Sequence, residues 1–154
     1  MAAGAGDGLQ PAGLGARDTL RLERALPLYG HELDDETTPL EAGLDWVVKF
    51  SKSAFIGREA LGKQKERGVE RKLVGLEMID PGIAREHYPV FKDGAPVGAV
   101  TSGTKSPTLG KAIAMAYVRA EHAALGQGVE VEIRGRRARA RVVPLPFYRR
   151  PKIS

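Results

Sequence analysis

The stretch YPVFKDGAPVGAVTSGT, residues 88–104, decides the fold of this chain. Its two apolar halves are joined by Asp93 and Gly94, a pair that readily takes the positive φ angles of a tight primed turn. Two short apolar runs separated by such a pair are the sequence signature of a β-hairpin. Residues 88–104 therefore predict two neighbouring antiparallel strands.

Three further segments share this pattern of short strands and turns. They are RKLVGLEM (71–78), KAIAMAYV (111–118) and GVEVEIRGRRARARVV (128–143), and the last of them contains a second hairpin signal at Gly135. Several short strands with turn residues between them are typical of small all-β units. We expect an antiparallel barrel or sandwich from about Glu70 to the C-terminus.

The residues before this unit predict helices instead. From Thr19 the sequence carries a short helical stripe of Leu20, Leu22, Ala25 and Leu26, which Pro27 ends. FIGREALGKQKERG, residues 55–68, predicts a second helix with a glycine stop signal at its end. Between the two helices, TTPLEAGL (37–44) indicates a proline-initiated helical turn, and DWVVKF (45–50) indicates a short apolar strand.

The chain is expected to divide near Val69. The single strand predicted before that point has no neighbours to complete a sheet. Residues 13–68 are thus expected to be an incomplete piece of a larger domain, preceded by a flexible leader of small residues at 1–12. Residues 69–154 contain the small β-barrel, so the expected fold class is α+β.

The composition excludes several classes of protein. The 154 residues are 42% hydrophobic and 28% charged, and no apolar run approaches the ~18 residues of a membrane span. The N-terminus lacks the basic start and apolar core of a secretory signal, which predicts a cytoplasmic location in a bacterium or the mitochondrial matrix in a eukaryote. The chain has no cysteine, and its three histidines stand at no metal-ligand spacing.

A net charge of +5 raises the question of an anionic partner. Five arginines cluster near the C-terminus, in a stretch where arginine alternates with alanine and valine: Arg134, Arg136, Arg137, Arg139 and Arg141. Such alternation most simply gives a solvated arginine face opposite an apolar face. An RNA or DNA stripe is the alternative, but no aromatic residues interleave to stack bases. The solvated face is the favoured interpretation, and no nucleic-acid partner is expected.

The stretch GLGARDTL, residues 13–20, places an Arg-Asp pair at the predicted start of the first helix. Asp18 suits the positive end of the helix dipole there, and Asp18 or Thr19 can cap free N–H groups. Arg17 is mildly unfavourable to the same dipole, which makes it the more informative residue. Two interpretations stay open from the residues alone: the pair caps the helix, or it holds an anionic ligand.

Two other features each have a structural and a functional interpretation. Trp46 is expected in the core rather than as a platform for a cofactor. TSGTKSPTLGK, residues 101–111, has the composition of a phosphate loop but lacks its spacing. We therefore interpret it as a structural connection that packs against the preceding domain.

Five blocks carry a resemblance to a known family. They are GLGARDTLRLERALPLYGHELDDETTPLEAGLDWVVKF (13–50), FIGREAL (55–61), RKLVGLEM (71–78), VTSGTKSPTLGKAIAMAYV (100–118) and LPFYRR (145–150). In this order and spacing the chain resembles the C-terminal portion of the T-proteins of the glycine cleavage system, the folate-dependent aminomethyltransferases. The resemblance implies that residues 13–68 are the C-terminal part of the folate-binding domain and that residues 69–154 are the C-terminal barrel domain of that family.

The resemblance also implies a reaction. Members of the family take the aminomethyl group from the lipoyl arm of the H-protein, release ammonia and pass the one-carbon unit to tetrahydrofolate. Tetrahydrofolate is therefore the implied cofactor and the lipoyl-bearing H-protein the implied partner, together with an N-terminal portion from a second chain or a longer parent. The alternative functions are a folate-dependent tRNA-modifying or demethylating relative and a non-catalytic barrel that serves as a docking module.

The implied cofactor-binding residues lie in two of the blocks. The resemblance assigns folate contact to Arg17, with Asp18 beside it, and implies that the glycines before them turn the chain sharply so that Arg17 points inward. Tyr148 and Arg149 are the candidates in LPFYRR, and their alternative role is to seal the barrel and form a solvated tail. The family's catalytic Asp belongs to the N-terminal portion. No residue here matches it, so the chain is expected to be inactive alone.

Overall fold

A computed structural model describes residues 2–150 of the chain. It contains two α-helices, six β-strands and three short 3-10 helices. The helices are α1 (Leu14–Glu23) and α2 (Arg58–Arg67), and the 3-10 helices are Ala2–Asp7, Asp45–Val47 and Ala120–His122. The strands are β1 (Arg71–Met78), β2 (Pro89–Lys92), β3 (Ala95–Lys105), β4 (Ala112–Arg119), β5 (Gly128–Ile133) and β6 (Arg136–Val143).

The six strands form one closed barrel in the order β1-β4-β3-β2-β5-β6. Every neighbouring pair is antiparallel, and β1 closes the barrel by pairing with both β4 and β6. Closure leaves no exposed sheet edge, which a small β-domain would otherwise have to protect. The structure confirms the predicted α+β class and the antiparallel barrel.

Both predicted hairpins are present. Asp93 and Gly94 have φ angles of 51° and 82°, and Arg134 and Gly135 have φ angles of 51° and 77°. Two successive residues with positive φ make a two-residue primed turn, whose twist matches that of the flanking strands. The turn chemistry that the sequence displays therefore sets the register of β2 with β3 and of β5 with β6.

The interior of the barrel is built from small and β-branched side chains. Its buried residues are Val74, Leu76, Ala84, Val90, Val97, Val100, Ala114, Ala116, Val118, Val129, Val131, Ala140 and Val142. A second cluster lies outside the barrel wall, where Leu22 of α1 packs on Ile113 and Met115 of β4. Strand β4 is consequently buried on both faces, and this position fixes where α1 sits.

The C-terminal segment crosses the outside of the barrel. Phe147 joins the second cluster, and a Cβ atom on Gly75 of β1 would lie 2.6 Å from the Leu145 side chain. The backbone N–H of Tyr148 then donates to the carbonyl oxygen of Glu23 at the end of α1, at 2.8 Å. This segment and α1 therefore hold each other against the same part of the barrel.

Helix α1 differs from its prediction in position and in its buried residues. It begins at Leu14, five residues before Thr19, and ends before Ala25, which has a φ of 53°. Of the predicted apolar stripe, Leu22 is fully buried, whereas Leu20 and Leu26 are 61% and 56% exposed. The prediction was wrong here because the helix contacts the barrel by its last turn and not along one apolar face.

The segment after α1 contains one confirmed element and one wrong prediction. Thr38 and Glu41 form the predicted helical turn through a capping box: the Thr38 N–H donates to Glu41 Oε2 and the Glu41 N–H donates to Thr38 Oγ1, at 2.9 and 3.3 Å. Residues 45–50 are not a strand, since Asp45–Val47 is a 3-10 helix. Trp46 is 68% exposed, so its predicted core position was also wrong.

The capping turn is tied to the barrel. Arg71 donates to Glu41 Oε1 at 3.0 Å and lies over the Tyr117 ring at 4.8 Å, and the Leu73 N–H donates to the Glu41 carbonyl at 2.9 Å. Burial opposes ionisation of Glu41, but hydrogen bonds from Thr38 and Arg71 outweigh it, so the pKa of this carboxyl lies below its ordinary value. Residues 37–44 therefore dock on β1 and β4.

Helix α2 matches the second predicted helix and ends before Gly68, whose φ is 82°. None of its ten residues, all of them described by the structure, is buried. Within residues 2–150, no helix has the length and apolar character needed to cross a membrane.

We predict that Gly98→Ala destabilises the barrel. A Cβ atom at this position of β3 would overlap the backbone carbonyl oxygen of Tyr117. Overpacking of this kind costs about 1–3 kcal/mol, measurable as a lower free energy of unfolding in urea. Gly128→Ala is the matched control, since nothing lies within 4 Å of the Cβ that it adds. Equal stabilities for the two variants would contradict the close approach.

We also predict a pH-dependent contribution from Asp80. Its carboxylate accepts hydrogen bonds from the side chain and backbone N–H of Arg139, and the side-chain bonds foremost lower its pKa to about 2. Because the pKa of Asp80 is lowered by folding, its carboxylate stabilises the fold above about pH 4, the ordinary pKa of an aspartate. This contribution to stability disappears as the pH falls through about 2.

Asp80→Asn should therefore lower the urea midpoint at about pH 6, and the difference from the wild type should shrink between about pH 4 and pH 2. Asp7→Asn is the control, because Asp7 is exposed and makes no ion pair among the described residues. A difference between Asp80→Asn and the wild type that is constant with pH would rule out the Asp80–Arg139 pair as its source.

Candidate functional site

A polar cleft of about 340 Å³ lies where α1 meets the barrel. Its lining comes from α1, from the loop after it, from the loop before β2 and from β3. The lining residues are Asp18, Arg21, His31, Arg85, Glu86, His87, Thr101, Ser102 and Gly103. Ionisable groups of both signs meet in this cleft, so it is the best candidate for a functional site in the part of the chain that the structure describes.

Arg21 is the residue that joins the walls of the cleft. It is only 9% exposed, and its Nη1 donates to Glu32 Oε2 at 2.7 Å while its Nη2 donates to Ser102 Oγ at 2.8 Å. Its Nε donates to Asp18 Oδ1 at 2.8 Å. One guanidinium therefore links α1, the loop that follows it and strand β3.

Glu32 is the buried partner of that guanidinium. Its side chain is fully buried, and it also accepts hydrogen bonds from Ser102 Oγ and from the backbone N–H of Leu28. The Tyr117 hydroxyl donates to the Glu32 carbonyl at 2.9 Å, and burial raises the pKa of that hydroxyl well above its ordinary value. The Glu32 carboxylate thus has both a charge partner and hydrogen bonds, which a buried charge requires.

Glu23 forms a second buried anchor at the end of α1. It is 2% exposed, and its carboxylate accepts hydrogen bonds from the hydroxyls of Ser106 and Thr108 and from the Thr108 N–H. Ser106 and Thr108 belong to the TSGTKSPTLGK segment. This segment therefore packs against the end of α1, as expected of a structural connection.

His31 closes the far side of the cleft. Its Nδ1 lies 3.0 Å from Glu86 Oε1 and 3.3 Å from the Thr101 carbonyl oxygen. Both neighbours are acceptors, so Nδ1 is the donor in these contacts. Within residues 2–150, no three His, Asp or Glu side chains are grouped as metal ligands would be.

The structure places the predicted residues Arg17 and Asp18 in the first half of α1. Arg17 is exposed, and Asp18 is 52% exposed and held by Arg21 at the rim of the cleft. The sharp glycine turn expected before them is wrong, because Gly13 has an extended backbone with φ −77° and Gly15 lies within the helix. Arg17 is presented by a helix that starts early, not by a strained turn.

The other predicted pair lies at the opposite end of α1. Tyr148 is half-buried and bonded through its backbone to Glu23, and Arg149 is exposed, with Nη2 donating to the Leu145 carbonyl at 3.4 Å. Glu23 follows Arg17 by six residue positions, which is about 9 Å along the helix axis. The structure thus brings the two predicted pairs to the two ends of one helix.

Sequence reasoning missed the buried charges Arg21, Glu23 and Glu32. Arg21 and Glu23 flank the one fully buried leucine of the helix, and their barrel partners Ser102 and Ser106 lie about eighty residues further on. The available signal was a run of hydroxyl residues at 101–108, in the second half of β3 and the turn that follows it. Local periodicity could not reveal the pairing, because it depends on contacts between distant segments.

The arginine-rich strand β6 is a solvated face, as predicted. Its arginines are exposed while Ala138, Ala140 and Val142 between them are buried. Arg137 pairs with Glu132 at 3.2 Å, and Arg139 pairs with Asp80 at 2.7 Å. These ion pairs offset much of the positive charge that a phosphate stripe would need.

We predict that removing the charge of Arg21 is strongly destabilising. Arg21→Met leaves Glu32 buried without its cation, which costs about 3–5 kcal/mol, measurable by urea unfolding. Arg67→Met is the matched control, because Arg67 is an exposed arginine in the last turn of α2. A change within about 0.5 kcal/mol for both variants would mean that the Arg21–Glu32 pair does not anchor α1.

Comparison with known proteins identifies the family. Residues 71–149 match the model of the glycine cleavage T-protein C-terminal barrel domain, and residues 1–52 match that of the GCVT N-terminal domain. The chain is 62% identical over 152 residues to the aminomethyltransferase of Moorella thermoacetica and 59% identical over 153 residues to that of Geobacillus kaustophilus. Each alignment covers 99% of this chain but only 42% of the relative.

A solved structure agrees with these matches. The aminomethyltransferase T of the glycine cleavage system from Bartonella henselae superposes with a TM-score of 0.85 and 35% identity, covering 89% of this chain and 39% of that protein. The chain thus spans about 40% of the length of these relatives. It belongs to the glycine cleavage T-protein family of aminomethyltransferases and corresponds to a C-terminal portion of its members.

Proposed function

We propose that this chain supplies the C-terminal part of a tetrahydrofolate-dependent aminomethyltransferase. The complete enzyme would receive an aminomethyl group from a lipoyl-bearing H-protein, release ammonia and transfer the one-carbon unit to tetrahydrofolate. One observation carries the proposal. In a chain of this family, α1 presents Arg17 in exposed turns while its last turn is locked to the barrel by Arg21 and Glu23.

The residues present suit a folate. Folates carry carboxylates, and arginine binds carboxylates with paired, charge-assisted hydrogen bonds. Arg17 and Arg149 are both exposed, and Tyr148 offers an aromatic ring beside the second of them. When bound, tetrahydrofolate supplies the nitrogens that accept the one-carbon unit. Arg17, Tyr148 and Arg149 are the groups proposed to hold it, with Asp18 next to Arg17.

The buried charges are proposed to orient these groups. Arg21 donates to Asp18 and to Glu32 and Ser102 at the same time, so Asp18 is held at the rim of the cleft by a side chain that is itself fixed in a buried network. Fixing the helix in this way also fixes the direction from which Arg17 reaches its ligand. Side chains held in one geometry before binding lose less entropy when the ligand arrives.

The chain alone is proposed to be inactive. Proton transfer at a reacting nitrogen needs a carboxylate or another titratable group within hydrogen-bond reach. Asp18 is engaged by Arg21, while Glu23 and Glu32 are buried in their own hydrogen-bond networks. The family resemblance assigns the catalytic Asp to the N-terminal portion of the relatives, outside the 42% that this chain matches.

A single-chain fusion tests the function directly. The N-terminal portion of the Moorella thermoacetica aminomethyltransferase is joined to this chain, which replaces the 42% that it matches. We expect the fusion to bind tetrahydrofolate in calorimetry and to form methylenetetrahydrofolate from the aminomethyl-lipoyl H-protein. A folded fusion with neither property would overturn the proposed function.

In that fusion, Arg17→Ala should weaken tetrahydrofolate binding by about tenfold to a hundredfold, because a hydrogen bond to a charged group is worth about 1.5–3 kcal/mol. Arg136→Ala is the control, since Arg136 is an exposed arginine on the barrel. Unchanged affinity in Arg17→Ala, with binding by the wild-type fusion, would remove Arg17 from the ligand site and leave the function in place.

A further inference from the structure

The last turn of α1 is joined to the C-terminal segment through backbone groups. The last four carbonyl groups of an α-helix have no partner within the helix. At the end of α1, the Glu23 carbonyl oxygen accepts from the backbone N–H of Tyr148, at 2.8 Å. The chain then turns away at Ala25, whose φ is 53°. The helix end and the C-terminal segment therefore satisfy each other's backbone groups at this point.

Arg24, the C-cap residue of α1, holds Tyr148 by its other backbone group. Its Nη1 donates to the Tyr148 carbonyl oxygen at 3.2 Å. The donor is charged, which strengthens a hydrogen bond to a neutral oxygen. Two consecutive residues of α1 therefore bind both the N–H and the carbonyl of one residue, and they fix its backbone in direction as well as in position.

The residue that begins this attachment is itself fixed to the barrel. The buried Glu23 carboxylate accepts hydrogen bonds from the hydroxyls of Ser106 and Thr108, in the turn after β3. Glu23 therefore cannot leave the barrel without exposing those hydroxyls and its own charge to new partners. The position of Tyr148 thus depends on a series of contacts that runs from the 106–108 turn through Glu23 to the C-terminal segment.

Apolar packing does not fix the end of this segment. Phe147 packs in the second cluster, but Tyr148 is half-buried and Arg149 is exposed. The bond from Arg149 Nη2 to the Leu145 carbonyl oxygen is 3.4 Å long, which is near the limit for a hydrogen bond. The contacts that locate Tyr148 and Arg149 relative to α1 are therefore the two made by Glu23 and Arg24.

We propose that Arg24 is a positioning residue for the pair Tyr148 and Arg149. The proposal rests on the proposed function, in which this pair contacts tetrahydrofolate. Arg24 acts through the Tyr148 backbone and not on the ligand. It sets where the pair lies relative to Arg17, which is presented by the same helix. A pair that is ordered before the ligand arrives loses less entropy on binding.

Hydrogen exchange in the chain itself tests the attachment without folate. The Tyr148 N–H exchanges with solvent when its bond to the Glu23 carbonyl opens. Arg24→Ala should raise its exchange rate, followed by NMR, about threefold to tenfold, the range expected for the loss of one hydrogen bond. The Val142 N–H, which donates to the Gln127 carbonyl at 2.9 Å, is the internal reference and should exchange at the same rate as in the wild type.

Arg67→Ala is the matched control for this experiment. Arg67 is an exposed arginine at the C-terminal end of α2, so its removal takes the same charge from the same end of a helix. Unchanged exchange at Tyr148 in Arg24→Ala would overturn the proposal. An equal increase in Arg67→Ala, or an equal increase at Val142, would also overturn it, because either result would show a general loss of stability.

Steady-state kinetics of the fusion tests the role in ligand binding. Arg24→Ala should raise KM for tetrahydrofolate about threefold to tenfold and leave kcat unchanged, because the lost contact orients a binding group and takes no part in the reaction. A merely structural role would reduce the fraction of folded enzyme, which lowers the apparent kcat at constant KM. Arg24→Lys should restore most of the affinity, since lysine also donates a charged hydrogen bond. A wild-type KM in Arg24→Ala, or a fall in kcat alone, would overturn the proposal.

The two proposals fail in different ways. An active wild-type fusion, combined with an Arg24→Ala variant that has the wild-type KM, would overturn the positioning role and leave the function standing. A folded wild-type fusion that neither binds tetrahydrofolate nor turns over would overturn the function. The ligand role of Arg24 would then fall with it, whereas a faster Tyr148 exchange in Arg24→Ala would still establish the attachment of the C-terminal segment.

Discussion

The ion pair between Arg21 and Glu32 is the interaction on which the rest of the structure depends. Both groups are withdrawn from water, and a buried charge is tolerated only when a partner and further hydrogen bonds compensate for the lost hydration. Ser102, the Leu28 N–H and Asp18 provide those bonds. Because these partners lie on three different segments, the pair can form only when α1, the following loop and β3 are assembled together.

The barrel contributes a rigid surface to which this assembly is fixed. Strand β4 is buried on both faces, so α1 meets a wall that cannot shift without disturbing the core. On β3, a Cβ atom at Gly103 would overlap the carbonyl oxygen of Ala84. This close approach brings the 83–88 loop against the strand and places Arg85 and Glu86 on the cleft. The strands thus set the shape of the cleft, although most of its charges come from loops and from α1.

The parts of the fold that local chemistry determines were predictable from the sequence. A few neighbouring residues determine the conformation of the Asp93-Gly94 turn and of the alternating arginines in β6. Strand β1 has the limits that the sequence predicts. Trp46 was misplaced because its apolar character alone indicates burial, whereas in the structure it is 68% exposed. The Arg21 network was missed since its partner on β3 is 81 residues away. The predicted boundary near Val69 and the folate-contact residues remain predictions.

The two ends of α1 differ in whether other residues of the chain cover their side chains and compensate their charges. In its last turn, Arg21 and Glu23 have their charges compensated by protein partners, so these two side chains are not available to a ligand. In its first turns, Arg17 is exposed beside apolar side chains that are themselves uncovered. An exposed cation gains little from a ligand in water, but its attraction for an anion rises once a neighbouring surface excludes solvent. Any surface that covered the first turns of α1 would therefore strengthen the attraction of Arg17 for an anion, and by reciprocity the anion would stabilise that cover by the same free energy.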